Sequence, residues 1–179
     1  MTLELLPNAA PSFDAPLELL RACHARITAR CHTLRKLQAH LPQHGCDTPA
    51  RQAAASVLRY FETAAQHHHE DEEIDLFPLL MADAKAQHLI DKLVAEHRTL
   101  ESHWRALHPE LLAIHEGRNS ILASADAFIA AYERHIEQEN GQLLPLAAKL
   151  LDSQQLATLG QRMKIRRHAT SSSLESGIL

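Results

Sequence analysis

Aromatic residues make up only 4% of this 179-residue chain, and it has just 5 glycines. Ala, Leu, Gln, Glu and Arg dominate while β-branched residues are few, which argues against a sheet and for helices. No apolar run is long enough to cross a bilayer. The opening MTLELLPNAAPSFDAP lacks the basic-then-apolar order of a signal peptide. Positive charge is not in excess. The formal net charge is −4, so the basic surface of a nucleic-acid binder is missing. There are 3 cysteines, Cys23, Cys31 and Cys46, an odd number with no C-x-x-C pair. That suits reduced thiols in a cytoplasmic protein and excludes a disulfide framework or a structural zinc. The residue in excess is histidine, with 14 copies.

The hydrophobic spacing predicts four long amphipathic helices. Residues 1–13, with Pro7 and Pro11, read as an irregular lead-in. Asp14 caps a first helix from Leu17 to about His40, with Leu20, Cys23, Ile27, Cys31 and Leu34 on its stripe. LPQHGCDTP reads as a loop, and Thr48 caps a second helix that continues to about Met81 through Val57, Leu58, Phe61 and Leu76. The third helix carries Leu89, Leu93, Leu100, Trp104, Leu107 and Leu111, is kinked or split by Pro109, and ends at Gly117. A fourth spans about Ser120 to Leu151, and Ser153 caps a short fifth. Residues 168–179 read as a disordered tail. The expected architecture is all-α: one up-down-up-down four-helix bundle over residues 14–167 with a short C-terminal fifth helix.

The chain also repeats itself. His68, Glu72, Leu76, Pro78 and Leu79 recur 67 residues later as His135, Glu139, Leu143, Pro145 and Leu146. Leu20, His24, Ile27 and Leu34 recur 73 residues later as Leu93, His97, Leu100 and Leu107. The chain therefore reads as two helical hairpins, each with a histidine on its first helix and a His-x-x-x-Glu pair on its second. Residues i and i+4 share a helix face, so both side chains of a pair reach one point in the interior. Face-to-face hairpins would gather His24, His68, Glu72, His97, His135 and Glu139. Four imidazoles and two carboxylates suit a pair of iron or manganese ions with open positions. A lone histidine on an apolar stripe is usually a core or boundary residue. Six such groups in a two-fold pattern are a different matter, because buried unpaired charges are costly.

The run HHHEDEE at residues 67–73 offers two registers. His68 and Glu72 continue the stripe of Val57, Phe61, Ala65 and Leu76, whereas His69 and Glu73 align with Ile136 and Asn140. The second register stays open as an alternative. His67, Glu70 and Asp71 fall on the polar face. Tyr132, three residues before His135, is either a core tyrosine or a group that hydrogen-bonds a ligand or a bridging carboxylate. Trp104 reads as core, and Cys23 and Cys31 as small core residues. The basic run Arg162, Lys164, Arg166 and Arg167 suits the C-terminal end of a helix. Neither E-x-x-H of the ferritin-like proteins nor H-E-x-x-H of zinc peptidases occurs.

The stretches LLRACHARI, HHHEDEEIDLFPLL, LVAEHRTL and HIEQENGQLLPL resemble the hemerythrin-like, HHE cation-binding domain family over roughly residues 15–167. The resemblance implies a four-helix bundle with two non-heme iron ions of the oxo-bridged type, with manganese or zinc as alternatives. It implies ligands at His24, His68, Glu72, His97, His135 and Glu139, and O2, NO or a peroxide as the small ligand. Classical oxygen carriers of the family have a further histidine four residues from the one on the third helix. Here those positions are Leu93 and Glu101, of which Glu101 is an alternative ligand or a solvated acid. This moves the chain away from reversible oxygen carriage and towards four-histidine, two-glutamate members, some of them linked to nitrosative stress, iron–sulfur repair or iron sensing. The functions this leaves are gas sensing or scavenging, iron handling for cluster repair, and peroxide or NO reduction. A sensor or iron donor would work through a separate protein partner.

Overall fold

Apolar stripes at helical spacing pull four helical rods together, with each rod antiparallel to the next. The computed structural model describes the backbone of residues 12–175 and the side chains of residues 12–169, and no strand occurs among the described residues. The first rod is α1 (Pro16–His44). The second comprises α2 (Thr48–Phe61), α3 (Ala64–Glu70), a π-helical turn (Asp71–Leu76) and α4 (Phe77–Leu80). The third is α5 (Ala84–His115). The fourth joins α6 (Ala125–Gln138), a second π-helical turn (Glu139–Leu143) and α7 (Leu144–Leu150). Both α1 and α5 pack against α2 and α6, which closes the four-helix bundle, and α8 (Ser153–Glu175) lies against one end of it.

Local chemistry moves several boundaries from where the spacing put them. Ala15 stands at the start of α1 with no side-chain cap, so Asp14 does not cap it. The first helix also outlasts His40. Pro42 lies exposed within its last turn, and the chain leaves the helix only at Gly45. Asp47, not Thr48, caps α2, accepting from the Ala50 N–H at 2.9 Å. The second rod breaks after Phe61, where the Thr63 hydroxyl donates back to the Arg59 carbonyl at 2.6 Å. Pro109 neither splits nor ends α5, because it sits on the exposed face, where water can satisfy the carbonyl left without its N–H partner. The end at Gly117 is a Schellman turn. Gly117 has φ 80°, its N–H reaches Ile114 O at 3.0 Å, and the Arg118 N–H reaches Ala113 O at 2.8 Å. The fourth rod starts at Ala125 rather than Ser120. Asp152, rather than Ser153, caps α8 in a reciprocal box with Gln155, at 2.8 and 3.0 Å. That helix continues past Arg167 to Glu175, into the segment read as a tail, while residues 1–11 of the lead-in and 176–179 lie outside the described residues.

The core is in two pieces. One apolar cluster gathers Ile27, Leu34, Val57, Phe61, Leu107 and Phe128. The other gathers Leu20, Leu76, Phe77, Leu93, Leu143 and Met163. On every rod the step from one cluster to the other passes through a buried histidine or glutamate: His24, His68 with Glu72, His97, and His135 with Glu139. Each fully buried Leu, Ile or Phe contributes about 1.5–3 kcal/mol. The two apolar clusters thus flank and tolerate a polar band across the middle of the bundle.

Candidate metal centre

Both glutamates of the band stand at the start of, or just inside, a π-helical turn. The Phe77 N–H bonds the Glu72 carbonyl five residues back, and the Leu144 N–H bonds the Glu139 carbonyl in the same way. Pro78 and Pro145 follow one residue later. In a regular α-helix each proline ring would press on the carbonyl four residues before it. Widening the preceding turn relieves that clash without a sharp kink, and such turns occur frequently at functional sites.

The six side chains singled out by the repeat converge, all of them at most 4% exposed. They form two overlapping groups able to hold a metal ion: His24, His68, Glu72 and Glu139, and Glu72, His97, His135 and Glu139. Each carboxylate divides its oxygens between the two. Glu72 Oε1 lies 3.4 Å from His68 Nε2 and Oε2 lies 3.6 Å from His97 Nε2. Glu139 Oε2 lies 3.1 Å from His24 Nε2 and Oε1 lies 3.2 Å from His135 Nε2.

His69 enters the band as well. Its ring stacks on His97 at 4.0 Å between centroids, and His69, His97 and His135 form a third convergent group. The two registers of the HHHEDEE run are therefore not exclusive for the histidines, since neighbouring residues differ by ~100° around the helix and so face different halves of the band. Glu73 does not join the convergent groups: its Oε1 accepts from His97 Nδ1 at 2.7 Å. Glu101 is not brought in either. It is 68% exposed and lies 3.7 Å from Arg105, one turn beyond His97 on the outer face. Tyr132 is buried among Phe61, Phe128 and His69 and lines a cavity of about 530 Å³ that reaches the band at His69 and His97.

The two-fold pattern extends to what holds the imidazoles. Asn140 aligns with Glu73, and Asn140 Oδ1 accepts from His24 Nδ1 at 2.8 Å as Glu73 does from His97. His135 Nδ1 donates to Glu96 at 3.0 Å. The residue aligned with Glu96 is Cys23, which offers no carboxylate, and His68 Nδ1 is without a hydrogen bond. One half of the site thus has carboxylate-backed histidines and the other does not. Asn140 and Glu96 were not singled out in the sequence, because each acts across the bundle on a histidine of another rod.

The electrostatics suit a bound cation. Burial opposes charge on His24 and His135. The adjacent Glu139 and Glu72 outweigh it and push them up to about 10 and about 9. Burial, with His135 beside it, drives His97 down to about 3. Burial also keeps His68 and His69 well below the ordinary value. Burial and the neighbouring Glu139 push Glu72 up to about 8. Glu139 stays well below its usual range despite burial, held there by His135 and His24. His24 Nε2, His68 Nε2, His69 Nε2 and all four oxygens of Glu72 and Glu139 are buried without a hydrogen bond. Orphaned acceptors on this scale are costly unless something coordinates them, and a set of imidazoles and carboxylates is a donor set for iron, manganese or zinc.

Behind the first π-helical turn lies an ion cluster where the pattern placed only polar surface. Asp71, assigned to the outer polar face, is fully buried, and Asp75 is 3% exposed. Arg162, Arg166 and Arg167 of α8 cover both. The basic run reads as a helix end in sequence, and only docking of α8 turns it inward.

The family model described as the hemerythrin HHE cation binding domain matches residues 15–147. A protein of Haemophilus influenzae described only as uncharacterized is 34% identical over 166 residues, covering 91% of this chain and 96% of its own length.

Proposed function

Because this chain belongs to the hemerythrin HHE cation-binding domain family, we propose that its His/Glu cluster holds two non-heme iron ions and takes up O2 or NO, in gas sensing, scavenging or defence against oxidative and nitrosative stress. The observation that carries this reading is the sharing of both carboxylates between two histidine groups. His24 and His68 would hold one ion, and His97 and His135, joined by His69, the other; Glu72 and Glu139 would serve both. The iron pair, when bound, supplies a redox-active centre able to take a diatomic ligand. The chain's own part is to present Nε2 lone pairs, which Glu73, Glu96 and Asn140 secure by holding the Nδ1 protons. The cavity lined in part by Phe61, Trp104 and Tyr132 gives a small ligand a path to His69 and His97. A cytoplasmic location is part of the proposal. It is supported by three free cysteines, and no helix among the described residues is long and apolar enough to cross a membrane.

The test is metal analysis of the purified protein with its absorption spectrum before and after reduction, followed by NO. Two irons per chain, a band that bleaches on reduction and a spectral change with NO are expected. A metal-free protein, or a reduced iron form indifferent to NO, would refute the reading. The acidic lining of the same cavity favours a second one. Glu70, Glu73 and Glu101 stand there against a single Arg98, which suits passage of a cation in an iron-handling protein. Iron that transfers to an apo acceptor, rather than staying bound against chelators, would select it over gas binding. Steady-state consumption of peroxide or NO would instead make the protein a reductase.

A further inference from the structure

The two π-helical turns are equivalent in sequence and unequal in support. Glu72 and Glu139 occupy matching places, yet the positions that Asp71 and Asp75 hold around Glu72 are taken around Glu139 by Gln138, the last residue of α6, and Gln142. Gln142 is exposed, whereas Asp71 and Asp75 are buried beneath α8. Arg166 is the centre of the contact. It pairs with Asp71, reaches Asp75 Oδ2 at 2.6 Å and approaches Glu70 Oε2 at 3.3 Å. Arg167 meets the second Asp71 oxygen at 2.6 Å, and Arg162 the second Asp75 oxygen at 3.2 Å. All four carboxylate oxygens are thus engaged, and the fork of Arg166 spans the turn from its first residue to its fifth.

Carboxylates beside a metal-binding carboxylate are an odd choice for a bundle that only needs to seal its end. Leu159 and Met163 already seat α8 in the apolar cluster. Two further buried acids add repulsion towards Glu72 and a desolvation cost, met only by the arginines. What they add is a rigid outer hold on a backbone conformation that helices seldom adopt unaided.

We infer that Arg166, with Arg167 and Arg162, positions Glu72: α8 grips the π-helical turn from outside and keeps that carboxylate aimed between the two histidine groups before any metal arrives. This rests on the reading that the cluster holds two metal ions. Glu139, without such a grip, serves as the internal comparison. The arginines are positioning residues, for they act on Glu72 through Asp71 and Asp75.

The test transplants the second turn's residues into the first. Asp71→Gln/Asp75→Gln leaves no buried acid unpaired, and Arg166 keeps its approach to the exposed Glu70 carboxylate. The metal-free chain is titrated with Co(II), following uptake and the visible spectrum. Wild type is expected to take up two ions. The double variant is expected to lose roughly 10–100-fold in affinity, as removal of an outer-layer partner typically does, with an altered Co(II) spectrum. Leu111→Ala, in the far apolar cluster, controls for lost stability and is expected to bind Co(II) as wild type does. Arg166→Lys keeps the charge and loses the fork; it is expected to weaken uptake several-fold with the fold intact, and it decides the matter if the double variant does not fold. Wild-type affinity and spectrum in the variants, or a loss no larger than that of Leu111→Ala, would overturn the positioning role. Failure of the wild-type chain itself to bind Co(II) would overturn the two-metal reading beneath it.

Discussion

The Nε2 atoms of His97 and His135 face each other at 3.1 Å, while the Nδ1 of each ring is taken by a carboxylate, Glu73 on one side and Glu96 on the other. With both Nδ1 atoms protonated, neutral rings would aim two lone pairs at one another. A proton or a metal ion between them removes the conflict. In the metal-free chain His135, raised to about 9, supplies the proton, and His97, lowered to about 3, receives the hydrogen bond.

Metal uptake must therefore displace protons. His24 and His135, raised to about 10 and about 9, are charged at neutral pH, and a ligating imidazole is neutral. Calorimetry of Zn(II) binding in buffers of different ionisation enthalpy is expected to show net proton release at pH 7, with affinity rising from pH 6 to pH 8. His24 and His135 pull the stability of the metal-free fold the opposite way, while His97, lowered to about 3, works against them below its ordinary value. The raised histidines contribute stability that is complete below their ordinary value near 6.5 and is lost as pH rises through about 9 to 10. Uptake without proton release would contradict this account.

Sharing of the carboxylates makes a second expectation. Glu139→Ala removes an oxygen from each half at once, so its stoichiometry is expected to fall from two ions to one or none. Glu101→Ala, at an exposed side chain outside the convergent groups, is expected to keep both. Equilibrium dialysis with metal analysis separates the two variants. Equal stoichiometry in both would remove the bridging role.

The halves are expected to respond differently to neutralising their outer partners. Glu73→Gln and Glu96→Gln are expected to weaken one ion by roughly 10–100-fold and to leave the ion at His24 and His68 near its original affinity. Asn140→Asp, which gives His24 a carboxylate like that of His97, is expected to strengthen the other. A two-phase titration resolves these effects. Uniform weakening of both ions by Glu73→Gln would show that the asymmetry has no energetic weight.

Gly160 admits no side chain. A Cβ there would stand 1.9 Å from the Phe13 carbonyl oxygen, a backbone atom that cannot swing aside. Gly160→Ala is expected to destabilise the protein by about 1–3 kcal/mol, the usual range for overpacking. Thermal melting checks it, at about 2–4 °C per kcal/mol for a chain of this size. An unchanged midpoint would mean that the segment before α1 contributes nothing to seating α8.

Much of the site was legible because helices carry their geometry in their period. His68 with Glu72 and His135 with Glu139 needed only the i, i+4 rule, and the two offsets tied the hairpins together. The same rule misplaced Asp71, for period alone assigns a residue to a face without saying what covers that face. It also treated His69 as a competitor of His68, although a band with two halves has room for both. The boundaries at His44, Asp47 and Ala125 depended on single cap and turn contacts, to which hydrophobic spacing is blind.

By itself the sequence determined the helical class, the hairpin repeat and the six groups that the repeat brings to the band. It could do so because these follow from local periodicity and from residue types that tolerate burial only with partners. The tertiary structure alone decided which imidazole is held by which acceptor, that Glu72 and Glu139 ride on π-helical turns, and that α8 lays its arginines on Asp71 and Asp75. Those relationships join residues far apart in the chain, 95 positions apart for Arg166 and Asp71, through side-chain directions that no local period encodes.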